Sequence, residues 1–96
     1  MVYKVTITDK AYLDVQNILD WYDERSVATG QRFLDTVNTQ IQKITKQPSV
    51  YKTVSPGIQR CLMKNFPYII YFILQPEGIV ILRFRHKKQK MLKRFR

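Results

Sequence analysis

Apolar positions along this chain follow two periods, and the changes from one to the other outline its elements. Val2 to Ile7 alternates, with Tyr3, Val5 and Ile7 set against Val2, Lys4 and Thr6, which predicts a strand with one strongly apolar face. Thr8 can cap the segment that follows, and Asp9 falls in its first turn, where a helix N-terminus favours an anion. There Ala11, Val15, Ile18 and Tyr22 recur at helical spacing, flanked by Tyr12, Leu19 and Trp21, the pattern of a helix with one buried stripe. Asp14, Asp20 and Asp23, without His or Glu partners, read as a solvated face of that helix. Asp23-Glu24-Arg25-Ser26 breaks the pattern, and Ser26 can cap a second helix with the stripe Gly30, Phe33 or Leu34, Val37, Ile41 and Ile44. Pro48 ends it, because the residue before a proline is driven out of the helical region. Gly30 costs helix propensity and is expected to let the two helices approach closely.

Beyond Pro48 the runs shorten and fill with β-branched and aromatic residues. Val50 to Val54 is a short edge strand or an irregular crossing, and Gly57 to Lys64 is the next strand. Asn65-Phe66-Pro67 turns the chain into Tyr68 to Leu74, and Pro76-Glu77-Gly78 makes a hairpin turn into Ile79 to Phe84. The order predicts one α+β domain over 1–96: an N-terminal strand, an antiparallel helix hairpin, then an antiparallel β-meander, in two layers. A basic tail, 85–96, closes the chain. Two layers leave a surplus. Ile70, Phe72 and Leu74 oppose Ile69, Tyr71 and Ile73, yet helices can cover only one sheet face. The expectation is an apolar outer surface, with Tyr71, Ile69 and Ile73 outward, covered by a partner in addition to Met91, Leu92 and Phe95 of the tail.

Composition sharpens this picture at one point. An apolar fraction of 45% suits a folded domain, but a net charge of +10 marks a chain that attracts polyanions or acidic proteins. The single cysteine, Cys61, rules out a disulfide framework and a thiolate metal cluster, and reads as a small buried hydrophobe. The longest apolar run is far too short to span a bilayer, no signal-peptide pattern opens the chain, and a cytoplasmic location is expected. No nucleotide-binding, metalloprotease or nucleophilic-triad motif is present, so neither cofactor nor metal is expected.

The basic residues are the remaining chemically suggestive set. Arg60 and Arg83 could bracket one phosphate-sized anion, since a guanidinium holds a planar anion through two parallel donors. His86, just past the last predicted strand, could take a proton from a ribose 2′-hydroxyl while the arginines stabilise the phosphorane. The plainer alternative is that His86 packs at a strand end. Arg85, Lys87, Lys88 and Lys90 extend the cationic surface and, with Tyr71, are candidate contacts for a partner or polyanion.

The order of these features resembles the RelE/ParE family of toxins from type II toxin–antitoxin pairs. Ala11-Tyr12-Leu13-Asp14-Val15-Gln16-Asn17-Ile18 is similar to the family's first-helix signature, and Ala28-Thr29-Gly30-Gln31-Arg32-Phe33 to the start of its second helix. Ile44 to Pro48, Arg60, the strand Tyr68 to Phe72, and the closing run Ile79 to Lys88 fall where the family places a helix end, an arginine, a Tyr-rich strand and a basic ending. The resemblance implies a toxin neutralised by an antitoxin encoded by an adjacent gene. It implies one of two targets, DNA gyrase for ParE-like members or messenger RNA in the ribosome for RelE-like ones, which are metal-independent endoribonucleases. The long stretch from Asp9 to Lys46 is similar to the ParE-like side. The nuclease members commonly carry a C-terminal tyrosine, whereas here Lys87 follows His86 and no tyrosine follows Tyr71. A basic nucleic-acid-binding module is the alternative that charge alone supports.

Overall fold

The computed structural model describes residues 3–89. Lys90, Met91, Leu92 and Phe95, and Val2 at the other end, lie outside the described residues. Strand β1 (Lys4–Ile7) leads into helix α1 (Asp9–Asp23) and helix α2 (Val27–Lys46). A 3-10 turn (Pro48–Val50) follows, then β2 (Lys52–Ser55), β3 (Ile58–Leu62), β4 (Tyr68–Gln75) and β5 (Gly78–His86). The meander β2 to β5 is antiparallel, and β1 joins its far edge parallel to β5, giving the order β1-β5-β4-β3-β2.

Both caps act as their residue types dictate. Thr8 Oγ1 accepts from the Ala11 N–H at 3.1 Å and donates to the Leu82 carbonyl at 2.9 Å, so one hydroxyl starts α1 and ties it to β5. Ser26 Oγ accepts from the Thr29 N–H at 3.2 Å. Of the two candidates on α2, Phe33 is the buried one. Gly30 is buried where a Cβ would meet Asp23 and Leu19 of α1, so its missing side chain does permit the close helix approach. Pro56 and Gly57, the latter at φ 77°, turn β2 into β3 in a conformation that favours glycine at the second position.

The two helices lie on one face of the sheet. Their Ala11, Ile18, Phe33, Val37 and Ile44 form a single core with Cys61, Ile70, Phe72, Ile79, Ile81 and Phe84. Tyr22, Phe33, Phe66 and Tyr68 close one end of it with ring centroids 5.3–6.5 Å apart. Gln40, a polar residue within this core, donates to Cys61 Sγ at 3.1 Å and to the Leu62 carbonyl at 3.4 Å. Burial raises the Cys61 thiol above its ordinary pKa, and the Gln40 and Tyr51 hydrogen bonds only partly offset that. Alkylation of Cys61 in the folded protein should therefore run at least about 100-fold slower than in the denatured chain. A thiol assay in and out of denaturant measures this, and equal rates would contradict the buried placement.

The other sheet face carries a second cluster in which no helical residue takes part: Ile58, Ile69 and Tyr71, flanked by Val54, Ile73 and Leu82. Tyr71, Ile69 and Ile73 thus point away from the helices, as the patterning suggested. Most of this cluster is buried within the chain itself, and the tail residues expected to share in covering it lie outside the described residues. Tyr71 is only 3% exposed and Ile58 and Ile69 are 7% exposed, because these side chains pack on one another across β3 and β4. What stays exposed on that face is Leu62, at 50%. Ile7 also departs from its expected apolar face and is exposed.

Candidate functional site

The register of the meander sets the candidate residues in rows. Lys52 pairs with Arg60, Arg60 with Tyr71 and Tyr71 with Arg83, so four neighbouring strands contribute to one row. In the next row Leu62 pairs with Ile69 and Ile69 with Arg85. Paired residues share a sheet face, so Lys52, Arg60 and Arg85 lie on the face away from the helices together with Tyr71. No outward position of β2 to β5 is an acid. The Nε of Arg85 is buried there without a hydrogen-bond partner. Among the described residues it has no acceptor, and a buried cationic donor left so is costly.

Arg83 behaves differently, and the reason lies in a bulge. Tyr71 pairs with Arg83 but Phe72 pairs with Ile81, so Leu82 is an extra residue on β5. The β1 strand ends level with it, at the Ile7–Ile81 pair, leaving the edge of β5 open beyond that point. Asp14 of α1 fills the gap. Its carboxylate accepts from Arg83 Nε at 2.7 Å, from Arg83 Nη2 at 3.0 Å and from the backbone N–H of Phe84 at 3.0 Å. The side chains are only 23% and 16% exposed. The hydrogen bonds that Arg83 donates to Asp14 raise the guanidinium pKa further, against the opposing effect of burial. Two expectations are corrected here: Asp14 is no solvated acid, and Arg83 is no free partner to Arg60. One signal did mark the pairing. Asp14 stands three residues after Ala11, beside Val15 and four before Ile18, inside the apolar stripe where an acid needs a cation.

His86 occupies the opposite face from Arg60. It is the last residue of β5, not a residue beyond the strand, and its ring meets Tyr68 edge-on with centroids 5.3 Å apart. Nδ1 accepts from the Lys88 N–H at 3.0 Å, while the His86 N–H donates to Gln89 Oε1 at 2.8 Å. With Nδ1 holding an acceptor's role, the neutral ring carries its proton on Nε2 and presents a donor outward. His86 lines a shallow cleft of about 290 Å³ with Asp14, Asn17, Tyr68 and Gln89. Lys87 and Lys88 are exposed at its rim. The sheet therefore brings Arg60, Tyr71 and Arg85 together and separates them from His86. Among the described residues no three His, Cys, Asp or Glu side chains converge as metal ligands, and no helix is long and apolar enough to cross a membrane.

This arrangement has relatives. Residues 5–91 match a family model described as the ParE toxin of the type II toxin–antitoxin system, parDE. The chain belongs to the ParE toxin family. A solved structure described as the chromosomal ParDE TA system from P. aeruginosa shares this ParE chain's fold, with a TM-score of 0.76 at 18% identity. The match covers 88% of this chain and 96% of the other. No curated protein matches. Within the ParE family match, the helix hairpin, the bulged strand and the outward arginines are all included.

Proposed function

We propose that this ParE-family toxin acts by binding DNA gyrase rather than by cutting RNA, and that an acidic antitoxin from an adjacent gene neutralises it across the outer sheet face. The observation that carries the first part is the separation of the basic groups. Arg60 and His86 project from opposite faces and Arg83 is held by Asp14, so among the described residues no general base, anion clamp and phosphate-sized space converge. The long hairpin, a 15-residue helix followed by a 20-residue one, supports the same reading, because it supplies a rigid surface for a protein target. Purified toxin should inhibit supercoiling by gyrase at micromolar concentration. Absence of inhibition there, or codon-phased cuts in translated messages by primer extension, would overturn the proposal in favour of the ribosome-dependent nuclease.

The neutralising partner is read from the outer face. Among the described residues Lys52, Arg60 and Arg85 stand there without an acid and Arg85 Nε has no acceptor, and Leu62 is exposed beside them. A segment supplying carboxylates and apolar side chains matches all three features.

A further inference from the structure

The exterior of α1 exposes more large apolar side chains than any other described element: Tyr12 at 59%, Leu13 at 58% and Trp21 at 50%. The antitoxin reading does not use them, and the gyrase reading draws on the length of the hairpin without assigning a role to these side chains. Leu13 and Trp21 belong to a stripe of exposed residues, Lys10, Leu13, Asn17, Trp21 and Glu24, spaced three, four, four and three apart. At 3.6 residues per turn all five fall within about 80° of one another, on the flank of α1 opposite Leu19, which faces Gly30 of α2. Glu24 caps the helix in helical geometry and so continues the stripe.

The stripe is palindromic about Asn17 in spacing and complementary about it in chemistry. Read forward it runs cation, apolar, amide, apolar, anion. Read backward it runs anion, apolar, amide, apolar, cation. We infer that α1 is an isologous self-association surface, on which a second copy of this chain docks antiparallel with its two-fold axis at Asn17. In that arrangement Leu13 packs on Trp21 of the second copy and Lys10 meets Glu24 of the second copy. The two Asn17 amides face each other, and each can both donate and accept. Arg25 already stacks on Trp21, 3.6 Å from its ring centroid, which fixes the indole as an anchor. Glu24 makes only a 3.9 Å contact to Arg25 and is available.

The distribution of charge permits this pairing and no close approach through the sheet. Asp9, Asp14, Asp20, Asp23, Glu24 and Asp35 nearly balance the basic residues of the helix hairpin, so the net +10 resides in the strands and the segment after them. Asn17 borders the cleft lined by His86 and Gln89, so the exposed Lys87 and Lys88 between those two residues approach the edge of the paired surface in both copies. Repulsion between these like charges is screened beyond about 8 Å at physiological salt. Dimerisation should therefore strengthen as salt rises from low to physiological concentration.

Sedimentation equilibrium of the full chain should show a monomer–dimer equilibrium with Kd on the order of 10–100 µM, as suits an interface of one helix pair. Leu13→Asp should weaken it at least about 10-fold. Lys10→Glu and Glu24→Lys should each weaken it several-fold, and the two combined should restore it. Asn17→Cys should form a disulfide-linked dimer on mild oxidation, since position 17 lies on the two-fold axis, whereas Gln42→Cys on α2 should not. All these positions are exposed, so circular dichroism should report an unchanged fold. A chain that stays monomeric to several hundred micromolar would overturn the inference, as would a charge swap that fails to restore pairing. A monomer whose Leu13→Asp variant instead loses gyrase or antitoxin binding would assign the surface to that partner and equally overturn it.

Discussion

Replacing Asp14 with alanine is expected to destabilise the toxin by about 2–4 kcal/mol, a large share of what a domain of this size possesses. Three hydrogen bonds end on that carboxylate, two from the Arg83 guanidinium and one from the Phe84 N–H. Each bond to a charged group contributes about 1.5–3 kcal/mol when its loss leaves the partner unsatisfied. The pair retains some exposure, 23% for Arg83 and 16% for Asp14, which is why the expected loss stays below that of a fully buried pair. In melting temperature the loss corresponds to roughly 10–25 °C. Asp14→Asn should cost less, because an amide oxygen can still accept from Phe84. Arg83→Ala should also destabilise, and a double-mutant cycle should return a coupling of at least about 1 kcal/mol. Phe84 amide exchange offers a second readout, since Asp14→Ala exposes that N–H at an open sheet edge. A thermal melt unchanged by Asp14→Ala would show that the bulge holds without its acid.

This pair also explains which parts of the molecule were legible in the sequence. Local chemistry was. Thr8 and Ser26 announce their helices because a hydroxyl before an apolar-periodic run has one obvious use, and Pro48 and Pro56-Gly57 mark their boundaries for equally local reasons. Strand existence followed from β-branched density. The bulge at Leu82 left no trace, because Ile79-Val80-Ile81-Leu82 is apolar at every position and so cannot reveal where alternation slips. With the bulge hidden, the pattern sets Arg83 as a free cation beside Arg60 and ends β5 before His86. The parallel pairing of β1 with β5 joins segments more than seventy residues apart, which no short-range pattern encodes. The buried outer cluster escaped for a related reason. Patterning assigns a side chain to a face, but whether neighbours on that face close over it depends on the register of three strands.

Moving Arg83 into the framework changes which residues should govern neutralisation. The expected determinants are Arg85, Arg60 and Leu62 on the outer face, and their effects should separate into rate and lifetime. Arg85→Ala should weaken the complex with the adjacent-gene antitoxin by about 10- to 100-fold, since a carboxylate reaching its buried Nε makes a charge-assisted bond. The same change should leave the free toxin as stable as before, or more so, because it removes a donor that has no acceptor. Leu62→Ala should speed dissociation by about 5- to 30-fold, as loss of an exposed apolar side chain that becomes buried on binding. Arg60→Glu and Lys87→Glu should instead slow association, by several-fold at low salt, and flatten its salt dependence, because peripheral charges steer encounter more than they hold the complex. Tyr71→Ala is a poor probe, since Tyr71 is already buried and its loss would loosen the sheet itself. Stopped-flow association at two ionic strengths, followed by dissociation under competition, separates these effects. Antitoxin binding indifferent to salt, to Arg85 and to Leu62 alike would place the neutralising interface on another surface of the toxin.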